Sequence, residues 1–390
     1  MLDFTFYSPT SVIFGKNSLE KLPEQLKKFG ASRILLHHGT ASVVKSGLLD
    51  KTLALLHNAG FYVEQLGGVR PNPVVSLCRE GIAVCKAKDI NFVLALGGGS
   101  VIDSAKAIAV GAMLDEDIWE VFCHGRKPQK ALPVGTILTL SATGSELSSR
   151  SVVSDDESHA KLGMGADCIR PVFSILNPEF TYSVNQWQTA AGTIDILMHT
   201  IERYFTRTPD VALTDSLSEA LMRNVINAGS IAYHNPCDYE ARATLMWAGS
   251  LSHNDLMGLG RQQDWACHKL EHEMSALDTS ITHGAGLAVL FPHWANYVMH
   301  EDLDRFCRFA KEVFGVNGEG FEKQQWAQAG VQAFANYAKS LGMPAKLRDF
   351  GIAEKDLALM ARRCADFYKT IGSFKVLSYE DMLNIYQAAY

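Results

Sequence analysis

The fold class predicted by the sequence is an α/β N-terminal half built on a parallel sheet, followed by an all-helical C-terminal half. Three observations carry it. Up to residue 176, short apolar runs alternate with helix-periodic stretches of roughly 10–15 residues, the pattern of strand–helix–strand units with right-handed crossovers. A glycine-rich turn, Gly97-Gly-Gly-Ser100, stands where one apolar run hands over to a helix. After Asn177-Pro178 β-branched runs thin out and helical periodicity dominates, broken at Asn235-Pro236, 315–320 and Gly342-Met-Pro344. The boundary is placed near Phe180, giving domains 1–180 and 181–390.

Residues 1–16 predict an extended start, followed by an amphipathic helix over 18–29 and an apolar strand over 33–37 ending at His38-Gly39. A helix over 48–59 leads to a strand over 61–67. Pro71-Asn72-Pro73 then breaks the chain before a helix over 74–88. The strand 92–96, the glycine turn and a helix over 101–112 complete the repeating unit. Strands over 132–140 and 173–176 flank a polar, turn-rich segment, 141–166.

Composition narrows the function classes. The chain is 47% hydrophobic and 20% charged, which is ordinary for a globular protein, and its length favours two cores over one. A net charge of −6 without a basic block argues against nucleic acid or an anionic membrane as partner and favours small molecules. No charged start precedes an apolar stretch, and no run reaches the roughly 18 apolar residues of a membrane span, so a cytoplasmic location is expected. The eight cysteines are scattered without a Cys-x-x-Cys pair and read as reduced thiols.

Two constellations carry chemistry. Glycines at Gly98 and Gly99, followed by Ser100, let a backbone approach a pyrophosphate at a helix N-terminus, although such a turn also serves merely to reverse the chain. Asp103 either caps that helix or hydrogen-bonds a ribose or nicotinamide group. The run Thr139–Glu146 places hydroxyls at a strand end, and Lys161 lies downstream, either pairing with a phosphate or hydroxyl or simply solvated.

In the second half, Asp195 and His199 stand four apart and share one face of a predicted helix. His268 and His272 repeat that spacing about seventy residues on, with Glu271 and Glu273 read as offset, and His283 opens His-Gly-Ala-Gly. Taken singly, each histidine is as well explained by a structural hydrogen bond. Together with an aspartate and no cysteine, they favour an open metal site over a closed structural one. Cys267, next to His268, points about 100° away on a helix and reads as packing. Trp247, Trp265 and Phe291 are read as an apolar wall.

The combination of Gly97-Gly-Gly-Ser100 with Asp103, the run Thr139–Glu146, Ala191-Gly-x-x-Asp195-x-x-x-His199-x-x-Glu202, and His268-x-x-x-His272 followed by His283-Gly284 resembles the iron-containing (group III) alcohol dehydrogenases. The likeness is to the branch of NADP-using butanol dehydrogenases and aldehyde reductases. It runs from about residue 6 to the last residue. It implies a Rossmann-like dinucleotide-binding N-terminal domain, an all-α metal-binding C-terminal domain, a divalent metal (Fe2+ or Zn2+) acting as Lewis acid on a small alcohol or aldehyde, and a homodimer. Carried over by position, it implies Asp195, His199, His268 and His283 as metal ligands and His272 beside the reacting oxygen. Gly98, Gly99 and Ser100 would hold the pyrophosphate. Asp103, Thr139, Ser141, Thr143 and Lys161 would line the rest of the cofactor, with Asn72 near the adenosine.

Three departures from the family pattern stand out. Where NAD-specific relatives carry an aspartate after the first strand, this chain has Gly39, then Thr40, Ala41 and Ser42. The barrier to a 2′-phosphate is absent, Ser42 and Lys45 are placed to meet it, and NADP is expected with NAD as the other option. Asn177-Pro178 replaces an Asp-Pro. The stretch between His268 and His283 is one residue longer than usual, within 276–282, where it is expected to bulge without displacing His283. Two other reactions suit the same fold, a polyol dehydrogenase and a sugar-phosphate cyclase-type lyase. The lyase needs a basic cluster, which does not accompany Asp195 or His268.

Overall fold

The computed structural model describes residues 1–158 and 160–390. Two compact units emerge: Tyr7–Val184, and Asn185–Tyr390 together with Met1–Phe6. The first unit contains β1 (Ser11–Phe14), β2 (Arg33–Gly39), β3 (Tyr62–Val69), β4 (Phe92–Gly97), β5 (Val134–Leu138), β6 (Arg150–Ser154), β7 (Lys161–Gly165) and β8 (Phe173–Leu176). Six of these strands pair in parallel in the order β1-β8-β5-β4-β2-β3. The inner strands β4 and β5 are buried along their whole length, so they read in sequence as unbroken apolar runs rather than alternating ones.

Between the strands lie α1 (Leu22–Lys28), α2 (Ser42–Lys45), α3 (Leu48–Asn58), α4 (Val75–Ala87), α5 (Gly99–Gly111) and α6 (Ile118–Cys123). Ile34 and Leu36 of β2 join Phe92, Leu94 and Leu96 of β4 in one apolar cluster with Leu22, Leu26 and Leu56. The period of two along each strand is what sends these side chains to one face.

Local chemistry moved several predicted boundaries. Pro23 in the first turn of α1 makes the helix begin at Leu22, after a 3-10 turn over Ser18–Lys21. Helix α5 begins at Gly99 rather than residue 101, so the glycine turn is itself the first turn of the helix. The segment read as merely polar holds an antiparallel hairpin, β6 with β7, registered from Arg150↔Gly165 to Ser154↔Lys161. Its strands are only five residues each, and in β7 the buried Leu162 and Met164 alternate with two glycines, which in sequence read as turn residues. The short helix α6, capped by the Asp117 side chain on the Trp119 amide at 2.9 Å, was likewise not predicted.

The second unit is helical: α7 (Gln186–Tyr204), α8 (Ala212–His234), α9 (Tyr239–Ser252), α10 (Ala266–Leu277), α11 (His283–Val298), α12 (Leu303–Phe314), α13 (Lys323–Ser340), α14 (Glu354–Tyr368) and α15 (Tyr379–Ala389). An aromatic core of Phe205, Phe291, Trp294, Phe306, Phe309 and Phe374 fills its centre. Every residue of α7 from Thr189 to Tyr204 is buried, including Asp195, His199, Glu202 and Arg203. Four ionisable side chains inside a buried helix call for partners, because an unpaired buried charge is costly. Helix α11 meets α7 backbone to backbone: a Cβ at Gly284 would stand 1.9 Å from the Ala191 carbonyl oxygen.

Candidate active site

The helical unit gathers all four predicted metal-site residues around one oxygen. Oδ1 of Asp195 lies 3.7 Å from His199 Nδ1, 3.9 Å from His268 Nε2 and 3.8 Å from His283 Nε2. These separations are too long for hydrogen bonds. Two ligands each about 2.0–2.2 Å from a shared ion stand at most roughly 4.4 Å apart, so the spacing admits one cation among them. Among the described residues His199 Nδ1 and His268 Nε2 are buried without a hydrogen-bond partner, a condition native structures avoid unless something else meets the lone pair. Burial, reinforced by His268, Arg203 and His283, holds His199 well below the usual imidazole range, so it is neutral and able to ligate. One carboxylate and three imidazoles fit a divalent transition metal.

Two buried glutamates stand behind the histidines. Oε1 of Glu202 accepts the His268 amide at 2.8 Å and its Nδ1–H at 2.9 Å. Glu271 accepts Nδ1–H of His283 on one oxygen and the Ser275 hydroxyl on the other. Each carboxylate fixes the tautomer that leaves Nε2 bare toward Asp195. Glu271 is a correction to the sequence reading: it is not offset from the site but turns its carboxylate onto His283. The signal was available, since Asp195, His199 and Glu202 follow an i, i+4, i+7 helical face, and His268 and Glu271 are i, i+3.

His272 lies half-buried beside His283, with ring centroids 5.7 Å apart. One donor atom each of Glu271, His272 and His283 also fall within 4.8 Å of one another, as do those of Asp195, His199 and His268. His283 thus faces both groups, presenting Nδ1 to Glu271 and Nε2 to Asp195. Cys267 packs in the core with its thiol pushed up by burial, and offers no ligand. The expected apolar wall does not form as a unit. Trp247 is 42% exposed and Phe291 belongs to the aromatic core; Trp265 alone of the three meets the site's histidines.

In the α/β unit Gly39, Gly98 and Thr139 stand at the carboxyl ends of β2, β4 and β5, whereas Asn72 follows β3, Asp103 lies inside α5 and Lys161 opens β7. Gly98 is the N-cap of α5, its carbonyl accepting the Val101 and Ile102 amides, and Gly99 and Ser100 open the first turn, where a helix leaves its leading amides without an intrahelical acceptor. Thr139 donates its amide to the Gly97 carbonyl at 3.1 Å. The Thr143 side chain lies over Gly99, where a Cβ would come within 2.3 Å of its hydroxyl oxygen. The Ser141 hydroxyl is buried there without a hydrogen-bond partner among the described residues. Such an orphan beside a helix N-terminus suits a polar ligand.

Asp103 does not cap the helix start, because it lies a full turn inside α5. Its Oδ1 accepts the Ser145 hydroxyl at 2.5 Å and its Oδ2 the Val152 amide at 3.0 Å, and burial raises its pKa against the opposing charges of Lys106 and Lys161. Lys106, which sequence reasoning missed, is fully buried and its ammonium meets Ser145 O, Ser145 Oγ, Ser148 O and Arg150 O at 2.7–2.9 Å. Together they bind the 139–152 segment to α5. Asn72, left-handed at φ 55, precedes α4 in a bend tied to β6 through the Ser154 amide on Pro73 O. Gly39 closes β2, followed by exposed Thr40 and by Ser42, which opens α2; a Cβ at Gly39 would meet nothing nearer than 3.8 Å.

A parallel α/β unit with a ligand-ready helix N-terminus, joined in sequence to a helical unit whose centre is one aspartate and three histidines, defines a class of metal- and nucleotide-dependent oxidoreductases. The chain belongs to the iron-containing alcohol dehydrogenase family. The family's models match residues 9–178 (iron-containing alcohol dehydrogenase) and 189–390 (Fe-containing alcohol dehydrogenase family, C-terminal). It is 42% identical to NADH-dependent butanol dehydrogenase A of Clostridium acetobutylicum, covering 100% of both chains. It is 32% identical to the NADPH-dependent aldehyde reductase YqhD of Escherichia coli, again over 100% of both. The crystal structure of NADH-dependent butanol dehydrogenase A from Thermotoga maritima superposes with a TM-score of 0.96 at 35% identity, covering 100% of this chain and 99% of that one.

Proposed function

We propose that this protein interconverts small primary alcohols and aldehydes of the butanol/butanal size, using NADP(H) in preference to NAD(H) and one divalent cation, Fe2+ or Zn2+. Membership of the family makes it a metal-dependent NAD(P) alcohol dehydrogenase. The observation that carries the site is the convergence of three histidine nitrogens on Asp195 Oδ1 at 3.7–3.9 Å. In this reading Asp195, His199, His268 and His283 hold the cation. A divalent cation held there would supply Lewis acidity to a substrate oxygen, and a bound nicotinamide would be the hydride donor or acceptor.

The chain's own groups do the rest. Glu202 and Glu271 keep the Nε2 lone pairs of His268 and His283 turned inward. His272, half-buried beside His283, exchanges the proton of the substrate hydroxyl with solvent through its imidazole. The first turn of α5 holds the cofactor pyrophosphate, with Thr139, Ser141 and Thr143 ordered over it by the Lys106 and Asp103 tethers. Asp103 and Lys161 border the remaining cofactor, and Asn72 the adenosine side.

Relatives divide on the cofactor: the one at 42% identity is named NADH-dependent and the one at 32% NADPH-dependent. Our preference for NADP(H) rests on Gly39, since Gly39-Thr-Ala-Ser42 offers a 2′-phosphate hydroxyls and no carboxylate. Steady-state rates with NADPH and NADH on butanal, after reconstitution with Fe2+ or Zn2+, test this. A strong NADH preference would overturn it.

A homodimer is proposed because Met1, Leu2, Phe4, Phe6 and Tyr7 remain 44–54% exposed, an apolar stretch that a single chain leaves in water. Light scattering on the eluting peak of a sizing column tests it. Among the described residues no helix is long and apolar enough to cross a membrane, and a cytoplasmic location is proposed.

A further inference from the structure

Trp265, the residue before α10, has a left-handed backbone at φ 67, ψ 17. Among the described residues six non-glycine positions have positive φ: Asn72, Asp89, Asp210, Asp255, Trp265 and Lys369. Asparagine and aspartate tolerate this region through their short polar side chains, but a bulky aromatic does not. Glycine would satisfy the backbone without strain, so the indole must be retained for what it touches. Strain of this kind collects at functional sites because the surroundings over-determine it.

The indole's surroundings are the metal-site histidines. Its ring lies 5.0 Å from His268 edge-on, 6.1 Å from His199 and 5.7 Å from His253, whose own ring is 4.2 Å from His199. The Arg203 guanidinium stands 4.4 Å from the indole ring and donates to the His199 carbonyl at 2.6 Å. Indole Nε1–H donates to Gln263 Oε1 at 2.9 Å, which pins the ring in its plane. The flanking backbone is held as well, because Asp264 accepts the amides of Ala266, Ser373 and Phe374 at 2.7–2.9 Å.

These contacts divide the task of orienting the ligands. The Glu202 bond at Nδ1 fixes the direction in which His268 aims Nε2 but leaves the ring able to rock about that axis. An aromatic edge against the ring removes this freedom, and the same indole limits His199, which has no hydrogen bond at Nδ1. We propose that Trp265 is a positioning residue of the metal centre, its strained backbone holding the indole against His199 and His268 so that both rings are set before the cation arrives. This rests on the reading of Asp195, His199, His268 and His283 as the ligands.

The test uses full-length protein and Co2+ as a spectroscopic probe, with Trp265→Gly, Trp265→Phe and Asp195→Ala compared with the parent. Trp265→Gly should lower Co2+ affinity tenfold or more and change its visible absorption, while the metal-free protein still unfolds cooperatively, relief of the backbone strain offsetting part of the packing that is lost. Trp265→Phe, which restores an aromatic edge, should recover affinity to within about threefold and bring the absorption bands back. It should also lose the part of the tryptophan quenching that Co2+ causes in the parent. Parental affinity and spectrum in Trp265→Gly would overturn the proposal, and so would equal loss in the Gly and Phe variants with intact folding. Equal Co2+ binding by the parent and Asp195→Ala would overturn the metal-site reading itself, and this proposal with it.

Discussion

Replacing Glu202 by glutamine tests whether the centre depends on the buried carboxylate behind His268. One oxygen of Glu202 accepts both the amide and the Nδ1–H of His268, at 2.8 and 2.9 Å, while the other is buried with no hydrogen-bond partner. Glutamine can keep its carbonyl oxygen in the accepting position only by leaving its NH2 where no acceptor is found, at a cost of about 1–3 kcal/mol. Turned over, it presents NH2 to two N–H donors. The bond that matters for ligation is the one to Nδ1. Losing its ionic character makes His268 a poorer donor, and changes of this kind typically cost 10–100-fold in metal affinity, or about 1.4–2.7 kcal/mol. Competition with a chromogenic chelator for Zn2+ measures this directly, beside calorimetric unfolding of the metal-free protein. Zn2+ affinity within twofold of the parent in folded Glu202→Gln would refute the orienting role.

Four further outcomes are expected. Gly39→Asp is sterically free, since its Cβ meets nothing nearer than 3.8 Å; a carboxylate roughly 5 Å from a 2′-phosphate at an effective dielectric near 20 costs about 3 kcal/mol, so the NADPH/NADH ratio of kcat/KM should fall by about a hundredfold. His272→Ala should reduce turnover by about a hundredfold with stoichiometric metal retained, and metal loss measured by elemental analysis would make His272 a ligand instead. Burial, only partly offset by the Leu66 carbonyl, pushes His37 from 6.5 down to about 4. The folded state therefore resists protonation there, and about 3 kcal/mol of stability, present above pH 6.5, should drain away as pH falls through 4. Urea unfolding of the parent and of His37→Gln at pH 7 and 4 checks this, and an equally steep loss in the variant would exclude His37 as the source. Lys106→Met should raise KM for NADPH several-fold with kcat less affected, because it releases the carbonyls of Ser145, Ser148 and Arg150 without touching the helical unit; an unchanged KM would show that the loop needs no such tether.

What the sequence revealed follows from which interactions are local. Strand–helix alternation and the spacing of Asp195 with His199, or His268 with His272, are encoded within single elements and were legible. Glu271 was legible only in part: its i, i+3 spacing puts it on the face of His268, but its bond to His283 depends on how α10 packs beside α11. Lys106 in an apolar helix reads as a side chain that snorkels to water, and only the fold shows it surrounded by carbonyls. Asp103 does not cap α5, and its bonds to the Ser145 hydroxyl and the Val152 amide, which tie the helix to the loop and β6, could not be read from sequence because they depend on how those segments pack. The left-handed backbone at Trp265 has no sequence signature, since a tryptophan is the last residue one would place there.

The contact between Gly284 and Ala191 separates the place of His283 from loop length. The Asp278–Thr282 connection closes through the Ile281 amide on Asp278 O, and α11 then starts at His283. Because α11 is seated backbone to backbone on α7, the place of His283 is set by that seat and not by how many residues lead up to it. Doubling such a loop costs only about 0.6 kcal/mol of closure entropy. The connection is therefore a tolerant position for insertions and deletions, natural or engineered, whereas a single methyl group added at residue 284 would unseat His283.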